Sequence, residues 1–140
     1  MRSPFLSQVA TAVLPLIIVF ALFLLLRGHD APGGGFIAGL VTTIAFVLAA
    51  LAFGAGTVQA ALPRLACRMP WIGLFVAAAS GLPAVARGQG FLTHYHVEIG
   101  GAEAPTLHLS TTLLFDVGVY LAVVGAAIKV LDAFAAEASP

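Results

Sequence analysis

The chain has 140 residues, of which 61% are hydrophobic and 9% are charged, and its mean hydropathy is +1.07. A water-soluble domain carries about 25% charged residues, and so short a chain cannot hide this much apolar surface from water. Six basic residues balance six acidic ones, so the charge gives no indication of a nucleic-acid partner. The composition excludes a soluble domain and predicts an integral membrane protein.

Charged residues separate long neutral segments, and these segments are the candidate membrane helices. A helix needs about 20 apolar residues to cross a bilayer. On this basis the sequence predicts helices over about residues 4–26, 34–53, 69–86 and 110–131. The first segment is too long for the apolar core of a signal peptide. We therefore expect an all-α integral membrane protein, a four-transmembrane-helix bundle that forms a single domain over residues 1–140.

The basic residues predict the orientation of these helices. Four crossings place both termini on one side of the membrane, together with the loop between the second and third helices. Basic residues near helix ends number four on that side and two on the other: Arg2, Arg64, Arg68 and Lys129 against Arg27 and Arg87. Because cytoplasmic segments are enriched in Lys and Arg, the count predicts cytoplasmic termini.

Polar residues collect at the opposite end of the predicted bundle. The first loop contains His29, and the third loop contains His94, His96 and His108. Imidazole is a common zinc ligand, but this spacing matches no standard zinc pattern. These histidines are better suited to gain and lose a proton near neutral pH.

The fourth predicted helix contains an acidic residue, Asp116. Steps of four residues place Thr112, Asp116 and Tyr120 on one face of this helix. A carboxylate inside a membrane span usually marks a proton or cation route, or a contact with a partner. The alternative is an interfacial acid that is reached by water or hydrogen-bonded to a neighbouring helix.

Glycines form the remaining pattern. Gly33, Gly34 and Gly35 precede a predicted membrane helix, where exposed backbone N–H groups can hold an anion or contact a partner. The alternative is a tight turn with close helix packing. Gly39 and, on the last helix, Gly118 continue the small-residue pattern, which favours close contact between helix backbones.

Three motifs in this order resemble those of a known family. Residues 28–39 read GHDAPGGGFIAG, which is similar to the signature G-H-x-x-P-G-G-G-F-x-x-G of the B-type (MnhB) subunits of the multisubunit Mrp (Mnh, Sha) sodium/proton antiporters. The segments FLTH at 91–94 and STTLLFDVGVYL at 110–121 resemble later motifs of that family. Residues 95–105 match no motif, so the resemblance assigns no role to His96, Glu98 or Glu103.

The resemblance implies a small, non-enzymatic subunit of a complex in the bacterial cytoplasmic membrane that exchanges cytoplasmic Na⁺ for external H⁺. The implied partners are large subunits related to those of respiratory complex I, other small membrane subunits and membrane lipid. No cofactor and no metal site are expected. The candidate residues for an ion path or a subunit contact are Asp116, Thr112, Tyr120, His29 and His94, and those for the turn and helix packing are Pro32, Gly33, Gly34, Gly35, Gly39 and Gly118.

Two other functions remain open from the residues alone. One is a purely structural membrane scaffold whose glycines pack helices and which has no ionic role. The other is a small exporter that works as a homo-oligomer. An enzyme is not expected, because the sequence has no nucleophile–base pair and no cofactor fingerprint.

Overall fold

The computed structural model describes residues 4–28, 33–61, 68–82, 88, 96–99 and 107–137. Within these ranges the chain is mainly helical, and the predicted all-α class is confirmed. The helices are α1 (Pro4–Arg27), α2 (Gly35–Phe53), α3 (Ala55–Ala61), α4 (Met69–Ala79) and α5 (Thr111–Glu137). Two short strands, β1 (His96–Ile99) and β2 (Leu107–Ser110), form a hairpin that leads directly into α5.

Three of the helices, α1, α2 and α5, are long and apolar enough to cross a membrane. An apolar chain in lipid folds as helices because every backbone polar group must find a partner within the segment. The helix α5 has 27 residues, or about 40 Å at 1.5 Å per residue. It exceeds the bilayer core of about 30 Å and continues beyond the predicted end at residue 131.

The helix α4 has only 11 residues, whereas the sequence predicted a helix over 69–86. Ser80 and Gly81 form a turn directly after it, and the Ser80 hydroxyl donates a hydrogen bond to the Ala77 carbonyl at 2.7 Å. A side chain that bonds to the preceding turn competes with continued helix geometry. Residues 83–87 lie outside the described part of the chain, so the count of four spans stays a prediction.

Neighbouring helices pack in the order α1, α2, α5, α4. The helices α1 and α2 are antiparallel: the Ser7 hydroxyl donates to the Ala52 carbonyl at 3.1 Å, and the Gly34 N–H donates to the Leu24 carbonyl at 3.1 Å. These two hydrogen bonds lie at opposite ends of the helix pair. They fix the register between α1 and α2.

The helix α5 runs parallel to α2 and antiparallel to α4. Along the α4 contact, a side chain added at Gly118 would reach the Ala77 nitrogen at 2.5 Å, and one added at Gly125 would reach Pro70 at 2.5 Å. Residue numbers therefore fall on α5 as they rise on α4. Side chains added at Gly35 and Gly39 of α2 would meet Asp116 and Val123 of α5 in turn. The helices α2 and α5 therefore run in the same direction, and their beginnings lie at the same end of the molecule.

Small side chains fill most of the contacts between these helices. The buried hydrophobic residues in the described part are mainly alanines, joined by Leu25, Val124 and Ile128. Many large apolar side chains point outward instead, among them Phe5, Leu16 and Phe75. This distribution suits a lipid environment, in which close backbone approach and not the burial of large side chains stabilises helix pairs.

The hairpin and α3 add two elements to the predicted helices. The strands are antiparallel, with Glu98 opposite His108 and His96 opposite Ser110. Polar and apolar residues alternate in both strand sequences, HVEI and LHLS, and this alternation is the signal for strands that was available in the sequence. The helix α3 lies between the helices that the sequence predicted over 34–53 and 69–86.

Candidate functional site at the contact between α2 and α5

The turn that begins α2 depends on glycine. Gly34 has a φ of +92°, which L side chains rarely adopt. Its N–H bonds to the Leu24 carbonyl at 3.1 Å, and its carbonyl accepts the first hydrogen bond of α2, from Ala38 at 3.1 Å. A side chain added at Gly33 would lie 2.7 Å from the Leu24 oxygen. The glycines thus bring the start of α2 against the last turn of α1.

Asp116 supplies the acceptor at the N-terminus of α2. Its Oδ1 accepts a hydrogen bond from the Gly35 N–H at 3.2 Å. The first N–H groups of a helix have no partner within the helix, and Gly34, at the N-cap position, offers no side-chain oxygen. The partial positive charge at a helix N-terminus also favours a carboxylate. Asp116 therefore caps α2 from a different helix.

The backbones of α2 and α5 are in direct contact beside this hydrogen bond. A side chain added at Gly35 would overlap the backbone carbonyl of Asp116 and would lie 2.9 Å from the Tyr120 nitrogen. One added at Gly39 would lie 2.9 Å from the side chain of Val123. Glycine at both positions is what permits Asp116 to reach the N-terminus of α2.

A second polar contact lies deeper in the same interface. The hydroxyls of Thr42 and Tyr120 are 3.2 Å apart, and Thr42 is buried, with a relative exposure of 3%. Sequence reasoning selected Tyr120 but missed Thr42. The available signal was the helical spacing of Gly35, Gly39 and Thr42, which share one face of α2.

The structure brings five of the predicted site residues together. Gly34, Gly35, Gly39, Asp116 and Tyr120 come together between α2 and α5. Thr112 is half-buried and lies one turn before Asp116. The predicted residues His29, Pro32 and His94 lie outside the described residues.

Gly118 belongs to a different contact, the one between α5 and α4. A side chain added at Gly118 would lie 2.5 Å from the Ala77 nitrogen and 2.8 Å from the Gly73 carbonyl oxygen. A side chain added at Gly73 on α4 would in turn lie 2.5 Å from the Gly118 carbonyl oxygen. The two helices therefore touch through their backbones. The sequence did not indicate Gly73 as the counterpart of Gly118.

The chemistry of the site is that of hydrogen bonding between helices. Within the described residues, no group of three or more His, Cys, Asp and Glu side chains could hold a metal ion. The half-buried carboxylate of Asp116 is an acidic group at the contact between two apolar helices. Fold and site together define a small polytopic membrane protein whose helices are joined by glycine contacts and by one carboxylate.

Comparison with known proteins places the chain within this class. Residues 5–129 match the family model described as "Domain related to MnhB subunit of Na+/H+ antiporter". The B-type subunit of the Na(+)/H(+) antiporter of Bacillus subtilis is 38% identical over 93% of this chain and 92% of that protein. The protein of the same name from Alkalihalophilus pseudofirmus is 34% identical over 90% of this chain and 85% of its own length. The chain belongs to the family of MnhB-related antiporter subunits.

Two longer proteins contain a segment that matches the chain. A Rhizobium meliloti protein, whose name describes a probable K(+)/H(+) antiporter component of combined A/B type, is 38% identical over 84% of this chain, which corresponds to 12% of that protein. A chain in the structure of the Mrp complex from Dietzia sp. superposes with a TM-score of 0.78 and 32% identity over 94% of this chain. The match spans 14% of that Dietzia chain.

Proposed function

We propose that the chain is an accessory membrane subunit of a multisubunit Na⁺/H⁺ antiporter, and that it contributes to assembly of the complex without a catalytic activity of its own. Membership of the MnhB-related family supports this function. So do the large apolar side chains that its helices expose, including Phe20 and Phe23 on α1 and Phe36 on α2. These surfaces are available to lipid and to neighbouring membrane subunits.

The specific role of Asp116 in this proposal is to hold α2 and α5 together. The observation that carries it is the hydrogen bond from the Gly35 N–H to Asp116 Oδ1. A carboxylate that caps a helix from another helix fixes both their separation and their register. The surfaces that α2 and α5 present to other subunits then depend on this contact.

A second candidate role for Asp116 is in the passage of a proton or cation. Asp116 is half-buried, and its carboxylate lies at the contact between two apolar helices. The hydroxyls of Tyr120 and Thr42 continue the line of polar groups along the same interface. Ionisable groups within membrane spans commonly serve such routes.

Substitution of Asp116 within the assembled complex separates these roles. Asp116→Asn keeps an oxygen at the capping position and removes the charge, whereas Asp116→Ala removes both. Assembly is measured by native gel electrophoresis of mild-detergent extracts, and antiport by the Na⁺-dependent change of pH in inside-out vesicles. If Asp116 only caps α2, the asparagine variant assembles and transports normally. Loss of antiport in a fully assembled asparagine variant instead establishes the ionic role.

Further experiments address the other functions that the sequence left open. The accessory-subunit proposal requires the tagged chain to be recovered with several larger membrane subunits in mild detergent. Recovery only as a homo-oligomer, with transport by the purified chain in liposomes, would instead establish a small exporter. A purely structural scaffold requires unchanged transport in Asp116→Asn and loss of assembly in Gly39→Leu.

We further propose the bacterial cytoplasmic membrane as the location, with both termini in the cytoplasm. The distribution of Lys and Arg supports this orientation. A protease-sensitive tag at either terminus should then be cleaved in inside-out vesicles and protected in intact spheroplasts. We expect the A-type component of the antiporter to be a direct neighbour, because the A and B types share one polypeptide in the Rhizobium meliloti protein.

A further inference from the structure

An apolar groove lies between α4 and α5, on the side of α5 away from Asp116. Its volume is about 370 Å³, and six residues line it: Pro70, Trp71 and Leu74 from α4, and Ala122, Ala126 and Lys129 from α5. The α5 side offers two small alanine side chains, whereas Trp71 and Leu74 are large and exposed at 68% and 59%. The groove is therefore a shallow apolar channel with one cationic residue.

Lys129 marks one end of this groove. Its ammonium nitrogen lies 5.9 Å from the centre of the Trp71 ring, within the range of a cation–π interaction. That interaction orients the ammonium group and leaves its N–H donors able to bind an anion. The cation is thus held in position at the groove.

In a bilayer whose opposite interface lies at Thr111, the groove extends inward from the membrane interface. Lys129 lies about 27 Å along the axis from Thr111, the first residue of α5, which is close to the thickness of the hydrocarbon core. Tryptophan favours the interface between lipid and water, and Trp71 lies beside Lys129. Ala122, at the other end of the lining, is about 10 Å deeper.

Among the side chains that the structure describes, the charged groups around this end are predominantly positive. Arg68 is exposed directly before α4, and α4 begins beside the C-terminal half of α5. Asp132 follows Lys129 by about one turn of α5 and is half-buried. Two cations and one carboxylate leave a net positive charge, which complements an anionic group.

We propose that this groove binds an anionic phospholipid, with an acyl chain against Ala122 and Ala126 and the phosphate at Lys129. Basic pockets between membrane helices commonly bind anionic lipid headgroups. The net positive charge at the Lys129 end favours an anionic lipid as the occupant of this apolar groove. This lipid site goes beyond the proposed accessory function and does not depend on Asp116.

Photo-crosslinking in the purified, assembled complex tests this site. The probe is phosphatidylglycerol with a diazirine on its acyl chain, and the comparison lipid is phosphatidylcholine with the same chain. We expect peptides of this chain around Leu74 and Ala122 to be labelled about fivefold more by phosphatidylglycerol, the ratio that one basic residue near the membrane surface provides. Equal labelling by the two lipids would overturn the proposal without any substitution being needed.

Variants of the lining residues sharpen the test. Lys129→Gln should reduce phosphatidylglycerol labelling to the phosphatidylcholine level, whereas Asp132→Asn should not reduce it. Ala126→Phe fills the groove and should abolish labelling by both lipids. Val130→Phe places the same aromatic side chain at an exposed position outside the groove lining and should leave labelling unchanged.

A photoreactive amino acid at Leu74 distinguishes the possible occupants. We expect it to capture phospholipid in the assembled complex. Capture of another subunit's polypeptide at this position would show that a protein segment occupies the groove, and would overturn the lipid proposal. Persistent labelling in Ala126→Phe would also contradict it.

Discussion

The Asp116 carboxylate accepts a hydrogen bond from the Gly35 N–H at 3.2 Å and so joins α5 to the first residue of α2. A helix is usually capped by the residue that directly precedes it. Here that residue is Gly34, which has no side-chain acceptor. The cap is instead a tertiary contact, and the end of one helix depends on the position of another.

Asp116→Ala should destabilise the assembled complex by about 1–2 kcal/mol, the cost of removing a helix cap. Asp116→Asn should cost less, because its amide oxygen can still accept the bond from Gly35. Thermal dissociation of the purified complex, followed by size-exclusion chromatography, measures both values. Equal destabilisation by the two variants would show that the charge, and not the oxygen acceptor, dominates this contact.

Gly35→Ala should separate α2 from α5 and prevent normal assembly. The added methyl group would overlap the Asp116 carbonyl, and both sides of this contact are backbone, which cannot rotate away. Such overpacking typically costs about 1–3 kcal/mol. The amount of assembled complex on a native gel is the measurement.

Gly56→Ala is the matched control for this substitution. Gly56 lies in α3, and nothing lies within 4 Å of the position that a side chain would occupy there. The control should assemble like the unsubstituted chain. Normal assembly of both variants would contradict the close backbone contact between α2 and α5.

Thr42→Val and Tyr120→Phe should each weaken the α2–α5 contact, and their effects should not add. The two hydroxyls bond to each other at 3.2 Å, so the loss of either removes the same hydrogen bond. Interhelical hydrogen bonds in membranes contribute about 0.6 kcal/mol on average. A double-mutant cycle on thermal stability should give a coupling energy of this size. Fully additive effects would exclude the bond.

Gly39→Ala and Gly118→Ala should differ in whether they can be rescued. The added methyl at Gly39 meets Cβ and Cγ1 of Val123, both at 2.9 Å. Val123→Ala removes only the Cγ1 contact and should restore a small part of the lost stability. At Gly118 the added methyl meets the backbone of Ala77 and Gly73, and no side-chain truncation can make room. Stability of the single and double variants tests this difference. Failure of Val123→Ala to improve Gly39→Ala would contradict the packing at that position.

The helix positions were predicted from charge and hydropathy, because these determine which segments enter a bilayer. The prediction placed α2 at 34–53, and the structure has Gly35–Phe53. It was less accurate for α4, because the Ser80 hydroxyl bond that accompanies its end is local geometry. Hydropathy does not report such a bond.

The candidate site was predictable in part. Asp116 stood out because an acid is costly within a membrane helix, and the glycines because they permit close packing. The partner of Asp116 was not predictable, because a backbone N–H has no residue type that a sequence pattern could reveal. Thr42 was missed for a related reason: a threonine in an apolar helix usually bonds to its own backbone, as Thr43 does with the Gly39 carbonyl at 2.9 Å.

The capping of α2 by α5 also has a consequence for biosynthesis. Gly35 and Asp116 are 81 residues apart in the sequence, so α2 leaves the ribosome long before its cap exists. During that interval the start of α2 is held by the Gly34–Leu24 hydrogen bond to α1. Helices α1 and α2 can therefore enter the membrane as a pair, and the interface with α5 is completed only late in translation. A chain truncated before residue 111 would lack that interface. We expect membrane quality control to recognise such a chain as incompletely folded.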